Sequence, residues 1–185
     1  GHFARVAAVA PQSSVRTAAQ YDAAASLIEL KDWAGAARTL EDFRQRFPQH
    51  PLADDVTAKL ALAYTEQKQW APAAAEFERL AVAKKDPEVA RSAQWQAAEL
   101  YEKAADGGTA SARQTATKAY ERYLRLYPAP LEQAVEARYR LARLAERDGD
   151  AKRAFALQKD IFAADQAGGA ARTGRTRTLG AMAAL

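Results

Sequence analysis

The sequence predicts an all-α protein built of antiparallel helix pairs. Three observations predict it. Alanine supplies 48 of the 185 residues, whereas Val and Ile together supply nine; alanine is the best helix former and strands favour β-branched side chains. The landmarks Asp32-Trp33-Ala34-Gly35-Ala36-Ala37 and Gln69-Trp70-Ala71-Pro72-Ala73-Ala74 recur 37 residues apart. An alanine also stands twelve residues before a marked one in three places: Ala24 before Ala36, Ala61 before Ala73, and Ala142 before Ala154. Self-similarity at a fixed period of this length is the signature of a stacked array.

Composition narrows the class further. Charged residues at 27% and seven prolines exclude a disordered or low-complexity chain. Cysteine is absent, so there is neither a disulfide framework nor a thiolate metal site. The best candidate, the five-residue stretch Val6 to Ala10, falls far short of the ~18 residues of a membrane-spanning helix. The net charge of +4 is uneven: residues 1–92 carry 12 basic and 12 acidic side chains, and residues 93–185 carry 15 and 11. A surplus this small is a solubility feature. Gly1-His2 reads as the scar of a removed tag.

Taken in order, residues 1–16 combine that scar with Phe3–Ala10, the expected tail of a preceding second helix. Pro11 stands ten residues before Tyr21, as Pro48 stands ten before Ala58. Residues 17–53 form the first repeat, with a helix around Ala24 and another from Trp33, capped by Asp32 and stopped by Pro48 and Pro51. Residues 54–90 form the second, with Ala61, Ala73, a tolerated first-turn Pro72 and a looser closure at Lys85-Asp86-Pro87. In the third repeat, 91–130, Ala98 precedes Ala116 by 18 residues, so six are inserted. The insertion is predicted as a loop at Asp106-Gly107-Gly108-Thr109-Ala110-Ser111, and the repeat closes at Tyr127-Pro128 and Pro130. The fourth repeat, 131–166, holds Ala142 and Ala154 with Asp150 as a cap. Residues 167–185 read as the start of a further, truncated helix. Phe3, Val6 and Val9 at one end, and Leu179, Met182 and Leu185 at the other, would then lack neighbours, and the chain is expected to associate end to end.

Registering the repeats on the alanines aligns other positions. Tyr21, Ala58, Trp95 and Tyr139 lie three residues before the first alanine, and Leu27, Tyr64, Tyr101 and Ala145 lie three after it. Leu40, Phe77, Tyr120 and Gln158 lie four after the second alanine, followed three residues on by Phe43, Leu80, Tyr123 and Ile161. Apolar positions at spacings of three and four mark a buried stripe on each helix. Alanine at the fixed points lets two backbones approach, and aromatics a turn away fill the space beside them.

This pattern resembles the tetratricopeptide repeat over about residues 17–166, as four repeats. It departs in two ways: the family's tryptophan column is replaced by an aromatic one position later, and the last repeat lacks the aromatic at Gln158 and the closing proline. The period of 37 and the run Phe47-Pro48-Gln49-His50-Pro51-Leu52-Ala53 further resemble the bacterial-envelope subgroup, of the outer-membrane assembly lipoprotein and Tol–Pal coordinator type. The resemblance implies a right-handed superhelical solenoid whose first helices line a concave groove. It implies a non-catalytic scaffold that binds a peptide segment or protein partner there, periplasmic or outer-membrane-associated, with the cytoplasm as the alternative. The family's concave positions carry over to Tyr21, Glu29, Leu62, Glu66, Trp95, Glu99, Lys103, Tyr139, Arg143 and Arg147. The chaperone-binding subgroup carries Lys and Asn at two of these columns. Here those columns hold Tyr21 and Ala25, then Ala58 and Leu62, which disfavours recognition of a chaperone tail.

Catalytic chemistry finds few candidates. His2 belongs to the scar and His50 to an inter-repeat turn, so no zinc set forms. Gly107-Gly108 and Gly168-Gly169 lack the partners of a phosphate-binding loop. Glu41-Asp42 and Asp54-Asp55 are adjacent, so each pair diverges on a helix. No enzyme activity, cofactor, metal or small-molecule substrate is expected. Trp33 and Trp70 read as packing residues at the turns, and Trp95 as either a packing or a binding residue. Arg122, Arg125, Arg138, Arg140, Arg143 and Arg147 allow an alternative, a nucleic-acid-associated array. Glu136 and Glu146 interleave with them as on a solvated face, and no nucleic-acid motif accompanies them. A structural spacer is the second alternative.

Overall fold

The computed structural model describes residues 2–169 and Arg175, with side chains described from Val15 onward. Among the described residues there are eight helices and no strand. They fall into two compact units, Gly1–Lys85 and Asp86–Leu185. The first holds α1 (His2–Glu29), α2 (Trp33–Arg46), α3 (Ala53–Glu66) and α4 (Trp70–Ala83). The second holds α5 (Pro87–Ala105), α6 (Ala110–Leu126), α7 (Leu131–Arg147) and α8 (Ala151–Ala167). Within each unit every helix packs on the one before it, so each unit is a pair of helical hairpins laid side by side.

The alanine register is the organising fact of both cores. Ala24, Ala36, Ala61, Ala73, Ala98, Ala116, Ala142 and Ala154 are each at most 3% exposed. The large side chains placed after them in sequence close the same cores: Leu40, Phe43, Tyr120, Tyr123 and Ile161 are at most 1% exposed. In the second unit Ala98, Ala105, Ala116, Ala119, Tyr120, Tyr123, Ala137, Leu141 and Leu144 form one cluster, against which Trp95 and Tyr101 pack. Phe77 and Gln158, at the same column as Leu40 and Tyr120, are only half-buried.

The turns inside three hairpins share one hydrogen-bond scheme. Asp32 N–H donates to the Leu27 carbonyl (2.9 Å) and Lys31 N–H to Ile28 (2.9 Å). Gln69 donates to Tyr64 (2.9 Å) and Lys68 to Thr65 (3.0 Å); Asp150 donates to Ala145 (2.9 Å) and Gly149 to Glu146 (3.0 Å). These paired six-to-one and five-to-two bonds end a helix on a residue in the left-handed region. The residues there are Lys31, Lys68 and Gly149, with φ of 58°, 57° and 76°. Only the third is a glycine, so the first two hold a conformation that L side chains disfavour. Lys68→Gly is expected to stabilise the chain by about 0.5–1 kcal/mol, since relief of the left-handed strain exceeds the entropy cost of glycine. Gly149→Lys should destabilise it by a similar amount; thermal midpoints of the two variants check both signs.

The caps follow the sequence. Asp32 accepts from Gly35 N–H (2.9 Å) and Asp150 from Arg153 N–H (2.9 Å), each opening the second helix of its pair. α2 ends at Arg46 and α6 at Leu126, each two residues before its proline, Pro48 or Pro128.

Three local expectations change. α1 runs unbroken through Pro11, so the helix end expected before that residue is absent and residues 3–10 continue into the first repeat. Alanines on both sides (Ala7, Ala8, Ala10, Ala18, Ala19) supply the helix propensity that carries the chain past one proline. Pro87 starts α5 rather than closing α4: Asp86 accepts from Glu88 N–H (2.9 Å) and Val89 N–H (3.3 Å), and proline suits the first helical position. The inserted segment is mostly helix. Counted from the register alanines, α5 runs two residues further past Ala98 than α3 does past Ala61, α6 starts three residues further ahead of Ala116 than α4 does ahead of Ala73, and the turn gains one. Ala110 and Ser111, expected in the loop, are the first residues of α6, because Thr109 caps it by accepting from Ala112 N–H at 3.3 Å. Of the further helix expected over residues 167–185, residues 170–174 and 176–185, with Leu179, Met182 and Leu185, lie outside the described residues; α8 itself ends at Ala167.

Candidate partner-binding surface

The first helix of each pair carries the candidate residues, and in each unit side-chain contacts join the two first helices. In the first unit, the Tyr21 hydroxyl on α1 donates to the Asp55 carboxylate on α3. The Tyr21 ring meets Phe43 edge-on at 6.2 Å, and Lys59 Nζ sits 5.7 Å from its centroid. Lys59 also pairs with Asp55 at 3.7 Å. Tyr21 is therefore a strut as well as a surface residue. Leu62 and Glu66 follow one another a turn apart on α3, both exposed, Leu62 by 42%. Glu29, at the end of α1, is exposed too.

In the second unit, Arg140 Nη1 on α7 reaches Glu102 on α5 at 3.0 Å, and Arg147 Nη1 reaches Asp106 at 3.0 Å. Two stripes with four-residue spacing then lie on these helices: Trp95, Glu99 and Lys103 on α5, and Tyr139, Arg143 and Arg147 on α7. A four-residue step keeps side chains on one helical face. Trp95 is half-buried and packs edge-on against Tyr120 (5.7 Å) and Tyr123 (5.0 Å), both at 71°. Glu99 is half-buried, and Lys103, Arg143 and Arg147 are exposed. Arg147 also donates through Nη2 to the Ala105 carbonyl (3.1 Å), compensating the C-terminal end of α5. Arg143 has no ion-pair partner among the described residues.

A network of Glu102, Tyr120, Arg140 and Glu136 completes the surface. Glu102 accepts from both the Tyr120 hydroxyl (2.6 Å) and Arg140, and Arg140 Nε donates to Glu136 at 2.7 Å. The four-residue spacing of Glu136 and Arg140 was visible in sequence; their link to Glu102, 38 positions from Arg140, was not. Other arginines of the second half pair between helices, Arg113 with Asp148 and Arg153 with Glu121 (2.5 Å). His50 is half-buried in its turn, where its Nδ1 accepts from Leu52 N–H (3.2 Å) and its ring meets Phe43 edge-on at 5.3 Å. Trp33 and Trp70 are half-buried at the starts of α2 and α4. Among the described residues no group of three or more His, Cys, Asp or Glu is placed to hold a metal ion.

Three tyrosines share a phenol–carboxylate motif: Tyr21 with Asp55, Tyr64 with Glu41, and Tyr120 with Glu102. Burial, and then the hydrogen bond to Asp55, push the Tyr21 phenol up to about 12. The same causes push Tyr64 and Tyr120 up as well. An ionised phenol beside a carboxylate would repel it, so the folded chain holds these protons more tightly than the unfolded chain, where the value is ~10. Unfolding then releases protons above pH ~10, and stability falls as pH rises from there. The urea midpoint is expected to drop between about pH 10 and about pH 12, and the combined Tyr21→Phe, Tyr64→Phe and Tyr120→Phe variant should show a flatter decline.

Residues 18–50 and 59–82 match the family model of the tetratricopeptide repeat. The first segment spans the end of α1, all of α2 and the turn to His50, and the second lies in α3 and α4. Both matched repeats fall in the first unit, where the alanine spacing has no insertion. Two crystal structures of MamA are similar to this chain, each 16% identical to it. One likeness covers 85% of this chain and 96% of that one with a TM-score of 0.36; the other covers 79% and 96% with a TM-score of 0.33. No curated protein matches the chain.

Proposed function

We propose that the chain is a non-catalytic protein-interaction scaffold, and that in each unit the paired first helices present the face that holds a peptide segment or protein partner. The observation that carries this reading is an exposed set with no evident structural task. Leu62 and Glu66 on α3 and Arg143 on α7 lie on the candidate face, while their neighbours Tyr21, Trp95 and Arg147 are engaged in packing or bracing. An exposed aliphatic and charged side chains on one face offer a partner's segment both apolar contact and electrostatic complementarity. The match to tetratricopeptide repeats supports the same reading. Pairing of Arg140, Arg147, Arg113 and Arg153 with carboxylates within the second unit favours a protein partner over nucleic acid.

A bacterial-envelope assembly is the proposed setting. It rests on the resemblance of the run Phe47 to Ala53 and of the 37-residue period to the repeats of the bacterial-envelope subgroup. Among the described residues no helix is long and apolar enough to cross a membrane. A signal peptide with a lipid-attachment cysteine in the native precursor would support this setting, and a cytoplasmic start would remove it.

Affinity capture from the cells of origin, read by mass spectrometry, tests the binding face. Leu62→Glu and Arg143→Glu are expected each to deplete the same captured protein, while Lys118→Glu, exposed on α6, retains it. Helical circular dichroism should be unchanged in all three. Retention by both groove variants, with loss in Lys118→Glu, would move the interface to the second helices.

A further inference from the structure

Glu136 and Tyr139 stand three residues apart on α7, on one helical face. Arg175 lies over both. Its Cζ is 3.9 Å from the centroid of the Tyr139 ring, and its Nη2 is 2.5 Å from Glu136 Oε2. Stacking on an aromatic face together with a carboxylate is the geometry that suits a planar guanidinium, which combines cation–π attraction with directional donors.

The receiving side is fixed before any cation arrives. Glu136 Oε1 accepts from Arg140 Nε (2.7 Å), and Arg140 is itself held by Glu102, which the Tyr120 hydroxyl orients. This chain runs from a fully buried tyrosine to a carboxylate whose side chain is 19% exposed. Glu102, Arg140 and Glu136 together carry one net negative charge, so one further cation neutralises the set. The Arg175 side chain, by contrast, is 40% exposed and lies on the rim of the site. A preorganised acceptor with a half-exposed occupant favours exchange, because little ordering remains to be done when a second cation replaces the first.

We propose that Glu136 and Tyr139 form an arginine receptor, filled by Arg175 of the same chain and open to an arginine side chain on a partner's peptide segment. The proposal rests on the scaffold reading above and gives the partner a chemistry there. At Tyr139 the surface takes a cation, although exposed Arg143 follows one turn later. Arg175 competes with the partner and sets the threshold for its binding.

The test uses the full chain and a fluorescein-labelled peptide of residues 170–180, in which Arg172→Ala and Arg177→Ala leave Arg175 as the only arginine. Fluorescence anisotropy should show the Arg175→Ala chain binding this peptide about tenfold more tightly than the unaltered chain does, since the internal competitor is gone. The same variant should bind it about tenfold more tightly than the peptide with citrulline in place of arginine. Adding Tyr139→Leu or Glu136→Gln to Arg175→Ala should each remove most of the gain. Equal binding of the arginine and citrulline peptides, or an undiminished gain in the Tyr139→Leu variant, overturns the receptor. Tyr139→Leu leaves the Glu136–Arg140 pair untouched, so the result stands even where Glu136→Gln misfolds. The capture experiment is read separately. Partner capture that survives Leu62→Glu and Arg143→Glu, alongside arginine-specific peptide binding, removes the proposed binding face and leaves the receptor; depleted capture without arginine-specific binding removes the receptor alone.

Discussion

Tyr123→Ala is expected to destabilise the protein by ~3–5 kcal/mol, the range for deleting a buried aromatic ring. Tyr123 is 0% exposed and sits between Trp95 (ring centroids 5.0 Å apart) and Tyr127 (5.4 Å). Its removal opens a cavity within the cluster that holds Ala98, Ala105, Ala116 and Ala119, small residues with little side chain to move into the space. A loss of this size is a large fraction of the ~5–15 kcal/mol that holds an ordinary domain together. Urea unfolding followed by circular dichroism measures it. Phe155→Ala on α8 is the control, since that ring is 60% exposed and its deletion should shift the midpoint by less than ~0.5 kcal/mol. Equal shifts in the two variants would mean that the aromatic column does not build the core.

Ala61→Leu and Ala98→Leu are expected to cost ~1–3 kcal/mol each by overpacking, and Ala58→Leu almost nothing. Ala61 is 1% exposed and Ala98 0%, each on the first helix of its hairpin where it packs on the second. A leucine there must push the helices apart or adopt a strained rotamer, because the space is already at native packing density. Ala58 lies three residues before Ala61 on the same helix but is exposed, so it has equal helix propensity and no packing partner to displace. The comparison isolates the close approach of helices from the chemistry of the substitution. Thermal midpoints that move together in all three variants would break the repeat register.

The match between pattern and burial has a simple cause. A helix pair can bury only the positions that recur every three or four residues, and two backbones approach closely only where those positions are small. Ala24, Ala36, Ala61, Ala73, Ala98, Ala116, Ala142 and Ala154 satisfy both conditions, which is why their spacing located all eight buried contact points. The caps at Asp32 and Asp150 were legible for a similarly local reason, since a capping side chain bonds a backbone group three residues away.

The candidate surface was legible only in part. Its columns named the exposed residues Glu29, Leu62, Glu66, Lys103, Arg143 and Arg147. The same columns could not separate these from Trp95, whose ring closes the core beneath it, or from Tyr21, which braces α1 against α3. Periodicity fixes the direction of a side chain but not what it meets. The segment after Asp106 misled for another reason: paired glycines signalled a loop, yet the alanines on either side, with Thr109 as a cap, converted most of the insertion into helix.

The sequence by itself determined the helical class, the pairing of helices, the buried alanine and aromatic columns and two of the caps, because each depends on residues within a few turns of one another. Only the tertiary structure decided which surface residues are held and which are free. Glu102 is held by Arg140 at a separation of 38 positions, Asp106 by Arg147 at 41, and Asp55 by Tyr21 at 34. Such pairs form when packing brings two first helices side by side, and no local rule of spacing encodes which charge will face which. The Arg175 contact with Glu136 and Tyr139 is of the same kind. Tyr139 stood among the candidate columns, but nothing in the sequence joined it to Glu136 and Arg175, which meet it only once α7 has been fixed by the helices around it.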